Sequence, residues 1–128
     1  MTAPPVTVLI VDDQAPFRLA AKAVLRRTPG FDLVGEAASG EDAVIQAQAL
    51  RPELVIMDIN MPGINGIEAT RQIVASTPEA VVWLCSTYQL ADLPADARTS
   101  GARAYVNKEE LAPDLILRLW EAKDQESF

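Results

Sequence analysis

The chain has 128 residues, of which 49% are hydrophobic and 23% are charged, and these totals fit one globular domain with a single core. A net charge of −7 argues against direct nucleic-acid binding, and the absence of histidine excludes a histidine triad or a histidine metal site. No apolar stretch approaches the ~20 residues that span a bilayer, and the first residues lack a secretory signal. We therefore expect a cytoplasmic protein with neither a nucleic-acid nor a membrane partner.

Five short apolar runs alternate with longer segments of helical spacing, which predicts repeated βα units and a mainly parallel sheet. The predicted strands are residues 6–11, 32–37, 54–57, 80–85 and 104–106. Helices are predicted between residue 17 and Thr28, from Ser39 to before Pro52, over 66–77, and over 111–123. Residues 1–128 are expected to form a single domain with a core from about 6 to 122 and no output domain.

Two segments carry more specific expectations. Residues 90–101 are predicted to form a short fourth helix, with Pro94 near its start and Gly101 near its end. On the last helix, Leu117 and Trp120 lie off the apolar stripe, so they are candidates for a contact surface.

Carboxylates stand at the ends of two predicted strands. Asp12 and Asp13 follow the first apolar run, and Asp58 ends the third and opens a Pro/Gly turn. Parallel strands present their carboxyl ends at one edge of a sheet, where ligands bind. Three clustered carboxylates repel one another unless a cation neutralises them, and oxygen ligands without His or Cys favour Mg²⁺.

A metal and a carboxylate nucleophile make phosphoryl transfer to an aspartate the accessible chemistry. That reaction also requires a cation to pair with the phosphoryl group and a hydroxyl to hydrogen-bond one of its oxygens. Lys108, just past the fifth run, supplies the charge, and Ser86, just past the fourth, supplies the hydroxyl.

These motifs resemble those of response-regulator receiver domains. The matching segments are Leu9-Ile10-Val11-Asp12-Asp13, the stretch from Val55 to Gly63 around Asp58, and the stretch from Gly101 to Lys108. The resemblance runs from about residue 6 to residue 120. It implies an α/β, flavodoxin-like (βα)5 fold, a doubly wound five-stranded parallel sheet with strand order 2-1-3-4-5.

The resemblance also implies a role for each site residue. Asp58 would be the phosphoacceptor; Asp13 and Asp58 would ligate Mg²⁺ directly, Asp12 mainly through water, and Asn60 through its backbone carbonyl. Lys108 would pair with the phosphoryl group. The switch hydroxyl would be Ser86, whose spacing from Lys108 agrees with an ungapped match, and Thr87 is the adjacent alternative. Tyr105 would be the switch aromatic that swings inward.

By the same resemblance, a sensor histidine kinase would phosphorylate Asp58, with partly self-catalysed phosphorylation and dephosphorylation. The chain would be a signalling switch, not an enzyme. It would act on an output domain or partner protein through the face formed by the fourth helix, the fifth strand and the fifth helix, with a homodimer on phosphorylation as a further expectation. Glu109 replaces the proline that often follows the lysine, as in receivers attached to helix-turn-helix output domains, which favours transcriptional regulation.

Two other classes of function remain open. A Mg²⁺-dependent aspartyl-nucleophile phosphohydrolase would also use Asp58, but it generally needs an acid two residues on, where this chain has Asn60. A pseudo-receiver that binds partners without phosphorylation is disfavoured by the intact set of Asp12, Asp13, Asp58 and Lys108.

Overall fold

A computed structural model describes residues 3–125 and 128. The strands are β1 (Val6–Val11), β2 (Phe31–Ala37), β3 (Leu54–Met57), β4 (Val81–Ser86) and β5 (Ala104–Asn107), and the helices are α1 (Ala15–Arg26), α2 (Gly40–Leu50), α3 (Gly66–Ser76) and α4 (Pro113–Glu121). All strand pairs are parallel, in the order β2-β1-β3-β4-β5, which confirms the predicted sheet. Within the described residues, no helix is long and apolar enough to cross a membrane.

The two faces of the sheet are each covered by helices. Side chains of β1 alternate between them: Leu9 and Val11 join the core under α2 and α3, and Val8 and Ile10 join the core under α1 and α4. Because both faces are buried, the central strands are apolar at nearly every position. Polar side chains in these segments are therefore confined to the strand ends.

The segment between β4 and β5 differs from the prediction. In place of a short fourth helix, it contains two single 3-10 turns, Leu90–Asp92 and Ala95–Ala97. Leu93 and Pro94 between them are extended, with ψ of 139° and 141°. Proline lacks an N–H and disfavours the helical region for the residue before it, so no α-helix passes through this point. The predicted fourth α-helix was wrong.

Trp120 on α4 also departs from the sequence interpretation. Its ring makes edge-to-face contacts with Phe31 and Trp83, at centroid distances of 5.9 and 6.5 Å. A tryptophan is long enough to reach the core from a position beside the apolar stripe. Trp120 is half-buried, whereas Leu117 is 38% exposed.

Gly66, the first residue of α3, holds the end of β3 in place. Its N–H donates to the carbonyl of Ile59 at 2.8 Å, and a Cβ at this position would overlap the carbonyl oxygen of Asp58. The close approach of these two backbones therefore requires glycine.

We predict that Gly66→Ala lowers the free energy of unfolding by about 2–3 kcal/mol, because the backbone at Asp58 must shift. Gly30→Ala is the comparison variant: Gly30 has φ of 85° with no neighbouring atom within 4 Å, so its loss of about 1 kcal/mol comes from backbone strain alone, which Gly66 lacks because its φ is not positive. Urea denaturation measures both. An equal loss in the two variants would contradict the overlap at Asp58.

Candidate functional site

Three carboxylates meet at the carboxyl edge of the sheet. Asp12 and Asp13 follow β1, and Asp58 follows the neighbouring strand β3, where its N–H donates to the carbonyl of Val11 at 2.9 Å. One oxygen from each carboxylate lies within 4.8 Å of the others. Asp12 and Asp58 are buried, whereas Asp13 is exposed. The structure thus brings together the three acids that the sequence predicted to converge.

Lys108 reaches this cluster from the end of β5. Its Nζ lies 2.7 Å from Oδ2 of Asp12 and 3.5 Å from Oδ1 of Asp58. The same ammonium lies 4.6 Å from the ring centroid of Phe17 on α1, in cation-π geometry. The contact between Phe17 and the lysine was not predicted from the sequence.

The acid cluster fits a hard divalent cation. Oδ1 of Asp12 accepts the N–H of Gln14 at 2.8 Å, and the buried Oδ2 is met by the ammonium of Lys108 at 2.7 Å. Three carboxylates beside one lysine leave negative charge uncompensated. Oxygen ligands of this kind suit Mg²⁺.

Burial and the neighbouring charges change the pKa of Asp58. Burial, reinforced by the charge of Asp12, raises the pKa of Asp58 to about 6, although Lys108 and the N–H of Ile59 act in the opposite direction. Burial alone would lower the pKa of Lys108, but its contact with Asp12 and the charge of Asp58 outweigh burial and hold that pKa above its ordinary value. Without a metal, the protein therefore disfavours the anionic form of Asp58.

An open groove gives solvent access to the acids. Ser86 is the buried last residue of β4, and Thr87 after it is exposed. Both candidate switch hydroxyls border the groove, so location alone does not choose between them. The residues that line it are Asp13, Gln14, Asp58, Asn60, Ser86, Thr87 and Lys108.

Tyr105 lies on β5, outside the lining of this groove. Its hydroxyl donates a hydrogen bond of 2.6 Å to the backbone carbonyl of Tyr88, which also accepts from Nδ2 of Asn107 at 3.2 Å. The hydroxyl of Tyr88 in turn lies 3.2 Å from Nδ2 of Asn60. Tyr88 therefore connects the loop after β3 to β5. The sequence interpretation missed it, although an aromatic residue two positions after Ser86 was a visible signal.

Comparisons with known proteins agree with this geometry. Residues 8–119 match the response regulator receiver domain family. The protein-glutamate methylesterase/protein-glutamine glutaminase of Alkalilimnicola ehrlichii is 44% identical over 104 residues, which are 80% of this chain and 27% of that protein. The transcriptional regulatory protein DegU of Brevibacillus brevis is 34% identical over 111 residues, 87% of this chain and 47% of that protein.

A solved structure is also similar. The two-component response regulator of the LuxR family from Aurantimonas sp. SI85-9A1 superposes with a TM-score of 0.85 at 28% identity, covering 97% of this chain and 89% of that one. The chain spans about a quarter and about half of the lengths of the two relatives above, so their complete activities extend beyond the matched region.

The chain belongs to the response regulator receiver domain family, and the family match covers most of its length. It is a receiver domain of the two-component response regulators, and its relatives include a transcriptional regulator.

We predict that Asp58→Asn raises the free energy of unfolding of the metal-free protein at pH 7.5 by about 1–2 kcal/mol, after allowing for water in the open groove. The folded pKa of about 6 lies above the ordinary 3.8. The penalty is therefore absent below about pH 4, grows as pH rises, and is complete above about pH 6.

Urea denaturation from pH 4 to 7.5 in EDTA measures the difference between wild type and Asp58→Asn. The two stabilities should converge toward pH 4. A difference that stays constant over this range would contradict the raised pKa of Asp58.

Proposed function

We propose that Asp58 accepts a phosphoryl group from a phosphohistidine of a sensor histidine kinase, in a Mg²⁺-dependent reaction. The observation that carries this proposal is the convergence of Asp12, Asp13 and Asp58 beside an open groove, where the ammonium of Lys108 contacts Asp12 and Asp58. A buried carboxylate in an accessible groove, next to further acids and a cation, is an arrangement suited to phosphoryl transfer.

In the proposed reaction, a carboxylate oxygen of Asp58 attacks phosphorus, and the bond from phosphorus to the donor nitrogen breaks. Asp13, Asp58 and the backbone carbonyl of Asn60 would hold the Mg²⁺, with Asp12 acting mainly through water. The bound ion would neutralise charge on the phosphoryl oxygens. Lys108, already 3.5 Å from Asp58, would pair with the phosphoryl group once it is attached.

Phosphorylation would then change the conformation around β4 and β5. Ser86 would donate its hydroxyl to a phosphoryl oxygen, and Lys108 would give up part of its contact with Asp12. The hydrogen bond from Tyr105 to the carbonyl of Tyr88 links β5 to the loop that follows Ser86, so movement of that loop would reach Tyr105. The two states thus differ in contacts that phosphorylation itself supplies.

The proposed output is a change in binding at the surface formed by the segment after β4, by β5 and by α4. That surface would act on an output domain or partner protein, including a second copy of the chain, to regulate transcription in the cytoplasm. Similarity to DegU supports a transcriptional output. The chain would work as a single receiver unit whose phosphorylation and dephosphorylation are partly self-catalysed.

A phosphohydrolase is the less favoured function. Asn60 stands where such an enzyme would carry its second acid, and its side-chain amide is hydrogen-bonded to the hydroxyl of Tyr88. An amide does not act as a general acid or base. The site therefore lacks a group at Asn60 for protonating a leaving alcohol and is better suited to holding a phosphoryl group.

We predict that incubation with Mg²⁺ and acetyl phosphate adds one phosphoryl group to the wild type, detected by intact-mass measurement. Asp58→Asn should gain none, and EDTA should prevent the wild-type gain. Equal mass gain in wild type and Asp58→Asn, or none in the wild type, would overturn the proposed phosphoacceptor. Rapid multiple turnovers of a phosphate ester would favour the hydrolase.

We predict that Ser86→Ala still accepts phosphate but loses most of the phosphorylation-dependent change in the amide NMR signals of β5. The reason is that alanine offers no hydroxyl to the phosphoryl oxygen. Thr87→Ala, which removes the neighbouring exposed hydroxyl, is the matched control and should respond like the wild type. If Thr87→Ala loses the response and Ser86→Ala keeps it, the switch hydroxyl is Thr87.

A further inference from the structure

Arg18 holds the loop that carries the acid pair, although it lies outside the groove. This residue is in the first turn of α1, and its Nη1 donates a hydrogen bond of 2.6 Å to the backbone carbonyl of Asp12. Its Nε lies 3.3 Å from Oε1 of Glu36, near the end of β2. Arg18 therefore ties the loop after β1 to the adjacent strand.

The carbonyl that Arg18 binds belongs to the peptide group joining Asp12 to Asp13. Because a peptide group is planar, fixing its oxygen also fixes the direction of its bond to Asp13. The Asp13 side chain is exposed, and within the described part of the chain we find no hydrogen bond or ion pair to it. The position of this carboxylate thus depends on its backbone, which Arg18 holds.

Glu36 explains how a cationic side chain can bind the Asp12 carbonyl next to a metal site. It supplies the counter-charge for the guanidinium, so Arg18 uses a carbonyl of the acid pair and leaves both carboxylates available. Lys22, one turn further along α1, lies 2.6 Å from the other oxygen of Glu36. In the described structure, Lys22 shares that acid but makes no contact with Asp12.

We propose that Arg18 is a positioning residue for the cation site: through the Asp12 carbonyl it orients Asp13 so that the Asp13 carboxylate can ligate Mg²⁺. The inference rests on the Mg²⁺ site of the proposed function, but it concerns affinity for the free ion. Residues that support metal ligands typically contribute about 10–100-fold to affinity. Because Arg18 acts on one ligand, we expect it to contribute about tenfold to the affinity for Mg²⁺.

Charge alone would predict that removing Arg18 strengthens Mg²⁺ binding, which is the opposite of what the positioning role predicts. Removing a cation near a Mg²⁺ site should strengthen binding, because less positive charge opposes the ion. We nevertheless expect Arg18→Gln to bind Mg²⁺ about tenfold more weakly, measured by calorimetric titration with MgCl₂ alone. Lys22→Gln removes the same charge from the same helix and is the matched control. It should bind Mg²⁺ as the wild type does, or slightly more tightly.

Equal Mg²⁺ affinities in Arg18→Gln and Lys22→Gln would overturn the inference. Arg18→Lys provides a second test that is independent of charge and of the folding of Arg18→Gln, because one ammonium cannot reproduce the fixed fork of a guanidinium. It should bind Mg²⁺ several-fold more weakly, and wild-type affinity in Arg18→Lys would overturn the inference.

The Mg²⁺ dependence of the phosphorylation rate distinguishes a positioning role of Arg18 from a general loss of structure. In Arg18→Gln, the Mg²⁺ concentration that gives half the maximal rate should rise about tenfold, whereas the rate at saturating Mg²⁺ should stay close to wild type. A lowered rate at saturating Mg²⁺ with unchanged Mg²⁺ dependence would overturn the positioning role. If the wild type accepts no phosphate, the proposed function fails, but the titration with MgCl₂ alone still decides the role of Arg18.

Discussion

Repulsion between two buried carboxylates is the constraint on which the site depends. Asp12 and Asp58 end adjacent central strands, and the fold holds their charges together where water cannot fully screen them. Lys108 offsets part of this repulsion by approaching both acids from the end of β5. Because one ammonium cannot balance three carboxylates, the site retains a strong electrostatic demand for a further cation. The same arrangement thus explains both the raised pKa of Asp58 and the suitability of the groove for Mg²⁺.

The rest of the fold keeps this arrangement in place. The parallel central strands pair with Val11 opposite Met57, and this register brings Asp58 beside Asp12. At the same edge, the close backbone approach at Gly66 fixes the turn after β3, and Arg18 fixes the turn after β1. Both supports act on backbone atoms. The side-chain oxygens are therefore left to interact with a cation and with the phosphoryl group of the proposed reaction.

The features that the sequence predicted well are those fixed by local pattern. Apolar runs ending in polar residues identified the strands, and the order of the acids, Ser86 and Lys108 identified the edge where they meet. The fourth helix was mispredicted because Pro94 was placed near the start of a helix, whereas in the structure the extended backbone at Leu93 and Pro94 divides the segment. The contacts of Arg18 with Glu36 and of Trp120 with Phe31 and Trp83 could not be predicted, since each joins segments that are distant in sequence.

The missing fourth helix changes the energetics of the proposed switch. An α-helix would tie this segment together with a ladder of i to i+4 hydrogen bonds, whereas the two 3-10 turns have few backbone bonds, among them those from Asp92 to Gln89 and from Ala97 to Pro94. Segments with few hydrogen bonds rearrange at a small free-energy cost. The carbonyl of Tyr88, which accepts from Tyr105 and Asn107, lies at the start of this segment and connects it to β5. A phosphoryl group that draws Ser86 toward it would then act on a β4–β5 connection that no α-helical ladder holds in place. A shift of a few kcal/mol is enough to exchange the populations of two such states.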